Sequence, residues 1–337
     1  MRERLMSEER WCLSTGEELA IEHLDSPVEE HQAAEVSSMV VPLLDETFLF
    51  DLLRGTATGT PRIRLLVARS RGDIAATCWM GWRKSLPALA VVGGVVTLEA
   101  YRGRGIATRL CRRLSEVFEA NGGRTIWLAA KSAGARRIYS RLGFKVAAGK
   151  LMYRESVPDA CFEGFQPGQA VQARRPDWGD MAALVPLYAW PHECMVLDAE
   201  HGVCSSRLCG TDRCIGHFWH TWRTTIPMGG DWSVLENERG WLVASALARR
   251  CLRPGGETEY QTDFIWHPAY DRDARVFVES FLERLEHEQA GAVTLLAAEA
   301  DEWKLRQARL LGFGDPIETP RTISIGAQRV KLCFLSR

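Results

Sequence analysis

A chain of 337 residues, 46% of them hydrophobic, is long enough for two ordinary domains with sizeable cores. A formal net charge of −1 argues against attachment to nucleic acid through bulk charge. No apolar run reaches bilayer length and the first ten residues hold no apolar signal core, so neither a membrane partner nor export is expected; the ten cysteines read as reduced thiols of a cytoplasmic protein.

In chain order, residues 1–18 are polar and read as a flexible tail. Residues 19–24 read as a first strand. Asp25-Ser26-Pro27-Val28-Glu29-Glu30 has the capping residues, proline and acids of a helix start, with the helix running to about Met39. Residues 42–54 read as a shorter helical piece, ended by Gly55 and Gly59-Thr60-Pro61. Two apolar runs, 63–68 and 74–80, flank Ser70-Arg71-Gly72-Asp73 as in a β-hairpin. A β-rich run over 89–98 follows. The next helix carries Ile106, Leu110, Leu114, Val117 and Phe118 on one face and stops at Asn121-Gly122-Gly123. Residues 125–130 read as a strand, 133–142 as a short helix, and 143–146 as the start of another strand.

The informative stretch is Thr97-Leu98-Glu99-Ala100-Tyr101-Arg102-Gly103-Arg104-Gly105-Ile106-Ala107-Thr108, where a strand feeds a helix through glycines. Backbone N–H groups at a helix N-terminus, together with the helix dipole, make an anion site. The small residues Gly103, Gly105 and Ala107 let a phosphate approach the backbone, and Arg102, Arg104 and Arg109 add charge. The pattern suits a pyrophosphate.

Arg102-x-x-Gly105-x-Ala107 resembles the acetyl-CoA motif of the Gcn5-related N-acetyltransferase (GNAT) superfamily. Residues 135–144, with Tyr139 and Gly143-Phe144, resemble that family's second motif; Ser132 stands where the family often has Asn. The resemblance covers about residues 19–155. It implies an α/β (α+β) chain in which a mixed, mostly antiparallel twisted sheet is flanked by helices. It implies acetyl-CoA as co-substrate, held by the Gly103–Thr108 backbone with Ile106, by Ser132 and Ala135, and by a strand edge at Val95, Val96 and Thr97. It further implies direct attack by a primary amine, most simply that of a small molecule. A Val96 or Thr97 N–H would polarise the thioester oxygen, and Tyr139 would act as general acid. The residues alone also admit a bare strand–helix turn and a packing role for Tyr139. No general base is visible. Asp45, Glu46 and Asp51 either bind an amine or form a solvated face, and Glu99 lies at the phosphate end. Another acyl-CoA, or a non-catalytic acetyl-CoA sensor, is the alternative reading.

The second half repeats landmarks of the first at offsets of 168 or 169: Leu128-Ala129-Ala130 as Leu296-Ala297-Ala298, Leu142-Gly143-Phe144 as Leu311-Gly312-Phe313, and Tyr101 as Tyr270. The repeat lacks the glycines. Asp271 and Asp273 stand where a pyrophosphate would lie, and Tyr139 has no counterpart. The expected organisation is a tail (1–18), a catalytic GNAT domain (19–156), a linker (157–167) and a degenerate GNAT-like domain (168–337). Cys204, Cys209, Cys214, His217 and His220, with His192, Cys194 and His201 upstream, form a dense cluster. Its spacing lacks the paired Cys-x2-Cys of common zinc sites, so a structural zinc is the weaker reading beside core cysteines. Nothing in the sequence speaks to oligomeric state.

Overall fold

A computed structural model describes residues 9–44, 46–57, 61–168, 171–197, 203–204, 213–253, 256–288, 292–325 and 328–337. The chain divides into two compact units. One comprises Met1–Lys145, Tyr153–Ala160 and Asp177–Ala182; the other comprises Val146–Met152, Cys161–Pro176 and Ala183–Arg337. Among the described residues no helix is long and apolar enough to cross a membrane.

The first sheet is built from β1 (Glu9–Cys12), β2 (Glu18–Asp25), β3 (Pro61–Ser70), β4 (Asp73–Arg83), β5 (Leu86–Thr97), β6 (Thr125–Ala129), β7 (Lys145–Ala148) and β8 (Leu151–Glu155). Its order is β1-β2-β3-β4-β5-β6-β8-β7. Strands β1 to β5 pair antiparallel, whereas β5 and β6 run parallel. Helices α1 (Glu30–Leu44) and α2 (Leu49–Arg54) precede β3; α3 (Ile106–Ala120) and α4 (Ala133–Arg141) flank β6 in sequence. The apolar stripe of α3 is buried as its spacing requires: Ile106, Leu110, Leu114 and Phe118 are all at most 4% exposed. Burying each such side chain stabilises by about 1.5–3 kcal/mol.

Two expectations need correction. Part of the expected tail is strand β1, paired with β2 from Glu9↔Ile21 to Cys12↔Glu18. Trp11 and Leu13 are buried, and Glu9 bonds both His23 and Arg113. Two anchors in an otherwise polar stretch give too little periodicity to read, yet they suffice to seat it. Helix α1 also runs five residues beyond Met39, with Pro42 inside its last turn, where a proline forfeits a single backbone hydrogen bond.

From residue 171 the chain builds a second sheet. The elements from there on are β9 (Val171–Arg174), α5 (Asp180–Ala189), β10 (Val196–Leu197), β11 (Val203–Cys204), α6 (Arg213–Thr225), β12 (Asp231–Asn237), β13 (Leu242–Leu252) and β14 (Thr258–Trp266), of which β10 and β11 pair apart as a two-stranded sheet. They are followed by α7 (Asp271–Glu288), β15 (Ala292–Ala298), α8 (Glu302–Leu310), β16 (Ile317–Ile325) and β17 (Gln328–Ser336). The order β9-β12-β13-β14-β15-β17-β16 repeats β2-β3-β4-β5-β6-β8-β7 strand for strand. The parallel pair, β14 with β15, falls at the same place. Short 3-10 turns at Glu99–Tyr101 and Pro268–Tyr270 precede the equivalent helices α3 and α7. The molecule thus carries two mixed, mostly antiparallel sheets of one plan, each flanked by helices.

Candidate functional site

The first sheet opens where its parallel pair ends. β5 and β6 are in register only over Leu89↔Thr125, Ala90↔Ile126 and Val91↔Trp127. β5 then continues to Thr97 with β4 alone beside it, so the backbone of Val95, Val96 and Thr97 borders an opening. A bulge marks this stretch. Thr77 faces Val96 and Trp79 faces Gly93, so Gly94 and Val95 together oppose Cys78. Gly94 has φ +57°, and the Trp79 ring lies so close that a Cβ there would meet its Cδ1 at 2.4 Å. Thr77 Oγ1 donates to the Gly94 carbonyl at 2.8 Å, pinning the bulge from the other side.

Beyond β5 the chain turns through Glu99–Tyr101 into α3. Gly103 (φ +78°) and Gly105 (φ +76°) are both left-handed, and a Cβ on either would have no protein atom within 4 Å. Gly105 is the N-cap of α3, with no side chain capping the helix and no acid in its first turn, Ile106 to Arg109. The first-turn N–H groups near Ala107 and Thr108 are thus left for an anion. Beside the turn lies a cavity of about 770 Å³ lined by residues including Thr15, Glu17, Ser70, Tyr101 and Arg104.

The arginines are more committed than their spacing suggests. Arg102 Nε donates to the Thr97 carbonyl at 3.2 Å. Arg104 donates to Glu17 and to the Ala100 carbonyl. Arg109 lies 4.4 Å over the Trp11 ring. Ser70 bonds Glu17 and, with Arg104, holds its carboxyl below the usual range. Ser132 is the N-cap of α4, its Oγ accepting from Ala135 N at 3.1 Å.

The carboxylates separate clearly. Asp45 lies outside the described residues. Asp51 is exposed and takes the Thr56 hydroxyl at 3.2 Å. Glu99 is exposed. Glu46 points inward: its two oxygens accept from Trp79 Nε1 at 2.8 Å and from Gly94 N at 3.1 Å. Burial pushes its pKa up, opposed by those two hydrogen bonds and by Lys131. Tyr139 is buried, its ring 5.8 Å from Phe144. Burial first, then the Cys111, Cys78 and Glu46 side chains, lift its pKa well above the ordinary phenol value. Glu46, Tyr139 and the thiols of Cys78 and Cys111, 3.8 Å apart, therefore form one electrostatic neighbourhood beneath the β5 bulge. Glu46 is the residue that sequence reasoning failed to single out. Its signal was the Gly93-Gly94 pair inside a β run, which marks a bulge and a close approach.

Residues 28–144 match the model of the Acetyltransferase (GNAT) family. This part of the chain is a GNAT acetyltransferase domain. Solved structures similar to the chain include the ribosomal-protein-S5-alanine acetyltransferase of Vibrio fischeri (9% identity, 51% of this chain, 94% of that one, TM-score 0.38). A GNAT-family acetyltransferase from Bacillus anthracis is also similar (12% identity, 51% and 96%, TM-score 0.37). A third is yncA, a putative acetyltransferase from Salmonella typhimurium determined with its cofactor acetyl-CoA (15% identity, 50% and 94%, TM-score 0.37). No curated protein matches the chain.

Outside the GNAT domain, the second sheet treats the topologically matching places differently. β14 and β15 are in register from Glu259↔Ala292 to Thr262↔Leu295, and β14 runs on through Asp263 to Trp266 with β13 alone beside it. That opening is filled. Lys304, 169 positions after Ala135, is 1% exposed and its Nζ donates to Asp263 Oδ1 and the Phe264 carbonyl. The N–H of Leu197 on β10 donates to Asp263 Oδ2, and that of Met195 to Asp301, each at 2.6 Å. Burial pulls the Lys304 pKa down, but Asp263, Cys194 and Asp301 outweigh it and hold it raised. At the head of α7 no glycine turn intervenes, and Asp271 accepts from Trp266 Nε1 and Arg275.

Of the cysteine–histidine cluster, His201 and Cys209 and the side chains of Cys204, Cys214, His217 and His220 lie outside the described residues. His192 is buried and pairs through Nε2 with the Leu187 carbonyl at 2.7 Å, and burial pulls its pKa down to about 4. Among the described residues no three His, Cys, Asp or Glu side chains are grouped to hold a metal ion.

Proposed function

We propose that the GNAT domain transfers acetyl from acetyl-CoA to a primary amine, most simply that of a small molecule, and that the second unit is a degenerate copy that binds no acetyl-CoA. The fit to the cofactor rests on the open sides of Gly103 and Gly105, the acid-free first turn of α3 and the unpaired edge of β5. Gly103 to Thr108 would hold the pyrophosphate, with Arg102 and Arg104 adding charge. Val95 to Thr97 would meet the arm, and Ser132 and Ala135 would flank it. When bound, acetyl-CoA supplies the thioester that is split.

The observation that carries the amine reading is the inward carboxylate of Glu46, fixed on Gly94 N and Trp79 Nε1 in the neighbourhood of Tyr139. Glu46 attracts a cationic acceptor and takes a proton from its nitrogen, leaving a neutral nucleophile. Its raised pKa makes it a stronger base than an exposed carboxylate. Tyr139, held protonated by burial and by its acidic neighbours, gives its Oη proton to the departing sulfur. A Val96 or Thr97 N–H faces the developing oxyanion. The ammonium thus loses two protons as the C–N bond replaces C–S: one ends on Glu46, and the other passes from the nitrogen of the adduct to the Tyr139 phenolate, which has given its own proton to the thiol.

A thiol-release assay over a panel of amines tests this reading. Turnover on at least one amine is expected, and Tyr139→Phe should lower kcat by about 10² or more. Tight acetyl-CoA binding with no turnover on any amine would make the chain a binding protein, with Tyr139 a packing aromatic beside Phe144.

A further inference from the structure

The two sheets share a plan, but one edge differs. In the first unit β1 covers the outer edge of β2. In the second sheet β9, the counterpart of β2, is the last strand among the described residues. The equivalence can be fixed by residue. The buried positions Leu110, Cys111, Leu114, Ser115 and Phe118 of α3 correspond to Phe277, Val278, Phe281, Leu282 and Leu285 of α7, each 167 further on and each buried. Ile21 of β2 faces Ala68, and Ala173 of β9 faces Leu235, which is again 167 beyond Ala68. On this match Leu19 corresponds to Val171, Arg109 to Val276 and Arg113 to Ser280.

Those positions are the ones that β1 covers in the first unit. Trp11 pairs with Leu19 and lies under Arg109, while Glu9 pairs with Ile21 and bonds Arg113. Leu19 and Ile21 are 0% exposed there. In the second unit Ala173 is exposed, Val171 is partly exposed and Val276 is 59% exposed. Val171, Ala173, Val276 and Ser280 line a groove of about 920 Å³ between β9 and α7. Arg174, Arg175, Arg272 and Arg284 also line it, against Asp273 alone. Glu236 answers Arg174 and Asp231 answers Arg284, which leaves an excess of one positive charge.

We propose that this groove takes an extended, acidic segment of a partner protein, carrying an aromatic residue, as an eighth strand on the β9 edge. Strand addition uses backbone hydrogen bonds for affinity and alternate side-chain pockets for selectivity. The first unit supplies the template: an extended segment with an acid and a tryptophan two residues apart on one face. The aromatic ring lies over Val171 against Val276, and acids meet Arg175, Arg272 and the edge of Arg284. A second copy is disfavoured as occupant, since pairing two β9 edges brings the arginines of both chains together.

The probe is the labelled peptide Glu-Glu-Glu-Trp-Ser-Leu-Ser-Thr, which is residues 8–15 with Arg10 and Cys12 replaced by Glu and Ser. Its fluorescence anisotropy is titrated with the full chain, with Val276→Asp and with Arg272→Glu, two exposed positions whose fold is checked by circular dichroism. Saturable binding is expected, weakened about tenfold or more in each variant and lost for a peptide with proline at alternate positions. No saturation up to about 1 mM, or equal affinity in both variants, overturns the proposal. So does a dimer of the free chain that Val276→Asp dissolves, because the groove then belongs to a second copy.

Discussion

Glu46 carries the strongest claim at the scale of single residues, because two donors from different strands hold its carboxylate where burial opposes its charge. Its partners stand 33 and 48 positions away in the chain, so no local pattern distinguishes it from Asp45 or Asp51. The glycine turn, by contrast, was legible, since every residue that shapes it lies within one short stretch. The raised pKa sets the sign of the pH effect. Protonation begins above 4.5, the ordinary value, so kcat/KM should fall as pH drops through that raised pKa. Glu46→Gln should remove this acidic limb and lower kcat by about 10² or more, as read from pH–rate profiles with a reactive amine. An unchanged acidic limb in Glu46→Gln would assign the titration to another group. Folding follows the same linkage. The native state binds this proton more tightly than the unfolded chain, so the stability owed to the group is full below 4.5 and lost as pH rises through the raised value.

At the scale of elements, the β5 bulge and the head of α3 are the parts that make an opening in the sheet. Gly93 and Gly94 let the Trp79 ring lie flat on the strand; a Cβ on Gly93 would meet Trp79 Cζ2 at 2.3 Å. Gly93→Ala should therefore destabilise by about 1–3 kcal/mol in chemical denaturation and displace the Trp79 donor from Glu46. Unchanged stability would mean that Trp79 moves freely. In the second sheet Lys304 closes the equivalent opening with a buried charge pair. Lys304→Met leaves Asp263 uncompensated and should cost about 3–5 kcal/mol of stability, measured in urea. Because the Lys304 pKa is raised, its contribution is full below 10.5 and lost as pH climbs past the raised value. Strand β1 was not legible: Trp11 is its one buried apolar residue, with Leu13 just beyond it, and the rest of its hold comes from distant partners, namely the β2 ladder, His23 and Arg113 on Glu9, and Arg109 on Trp11 and the Cys12 carbonyl. The strand–helix order of residues 61–148 was legible because its elements have local periods and several of its turns are marked by glycine, as at Gly72, Gly103, Gly105, Gly122 and Gly143.

On the scale of the whole molecule, one plan is used twice with opposite treatment of the same places. The first sheet leaves the β5 edge open and covers its outer strand; the second fills the β14 opening and leaves β9 uncovered among the described residues. The repeat of Leu-Gly-Phe and Leu-Ala-Ala was the legible sign of the shared plan, since these residues sit at the ends of matching strands and helices in both halves. The plug was not legible, because a lysine in a polar helix reads as solvated until its partners on β14 are known. Under the proposed function, acetyl-CoA binds in the GNAT domain and nowhere else on the chain. Titration calorimetry of the full chain with acetyl-CoA tests it most directly. One molecule bound per chain, abolished by Gly105→Glu and unaffected by Lys304→Met, is the result expected. Two molecules per chain, or affinity unchanged in Gly105→Glu, would contradict it.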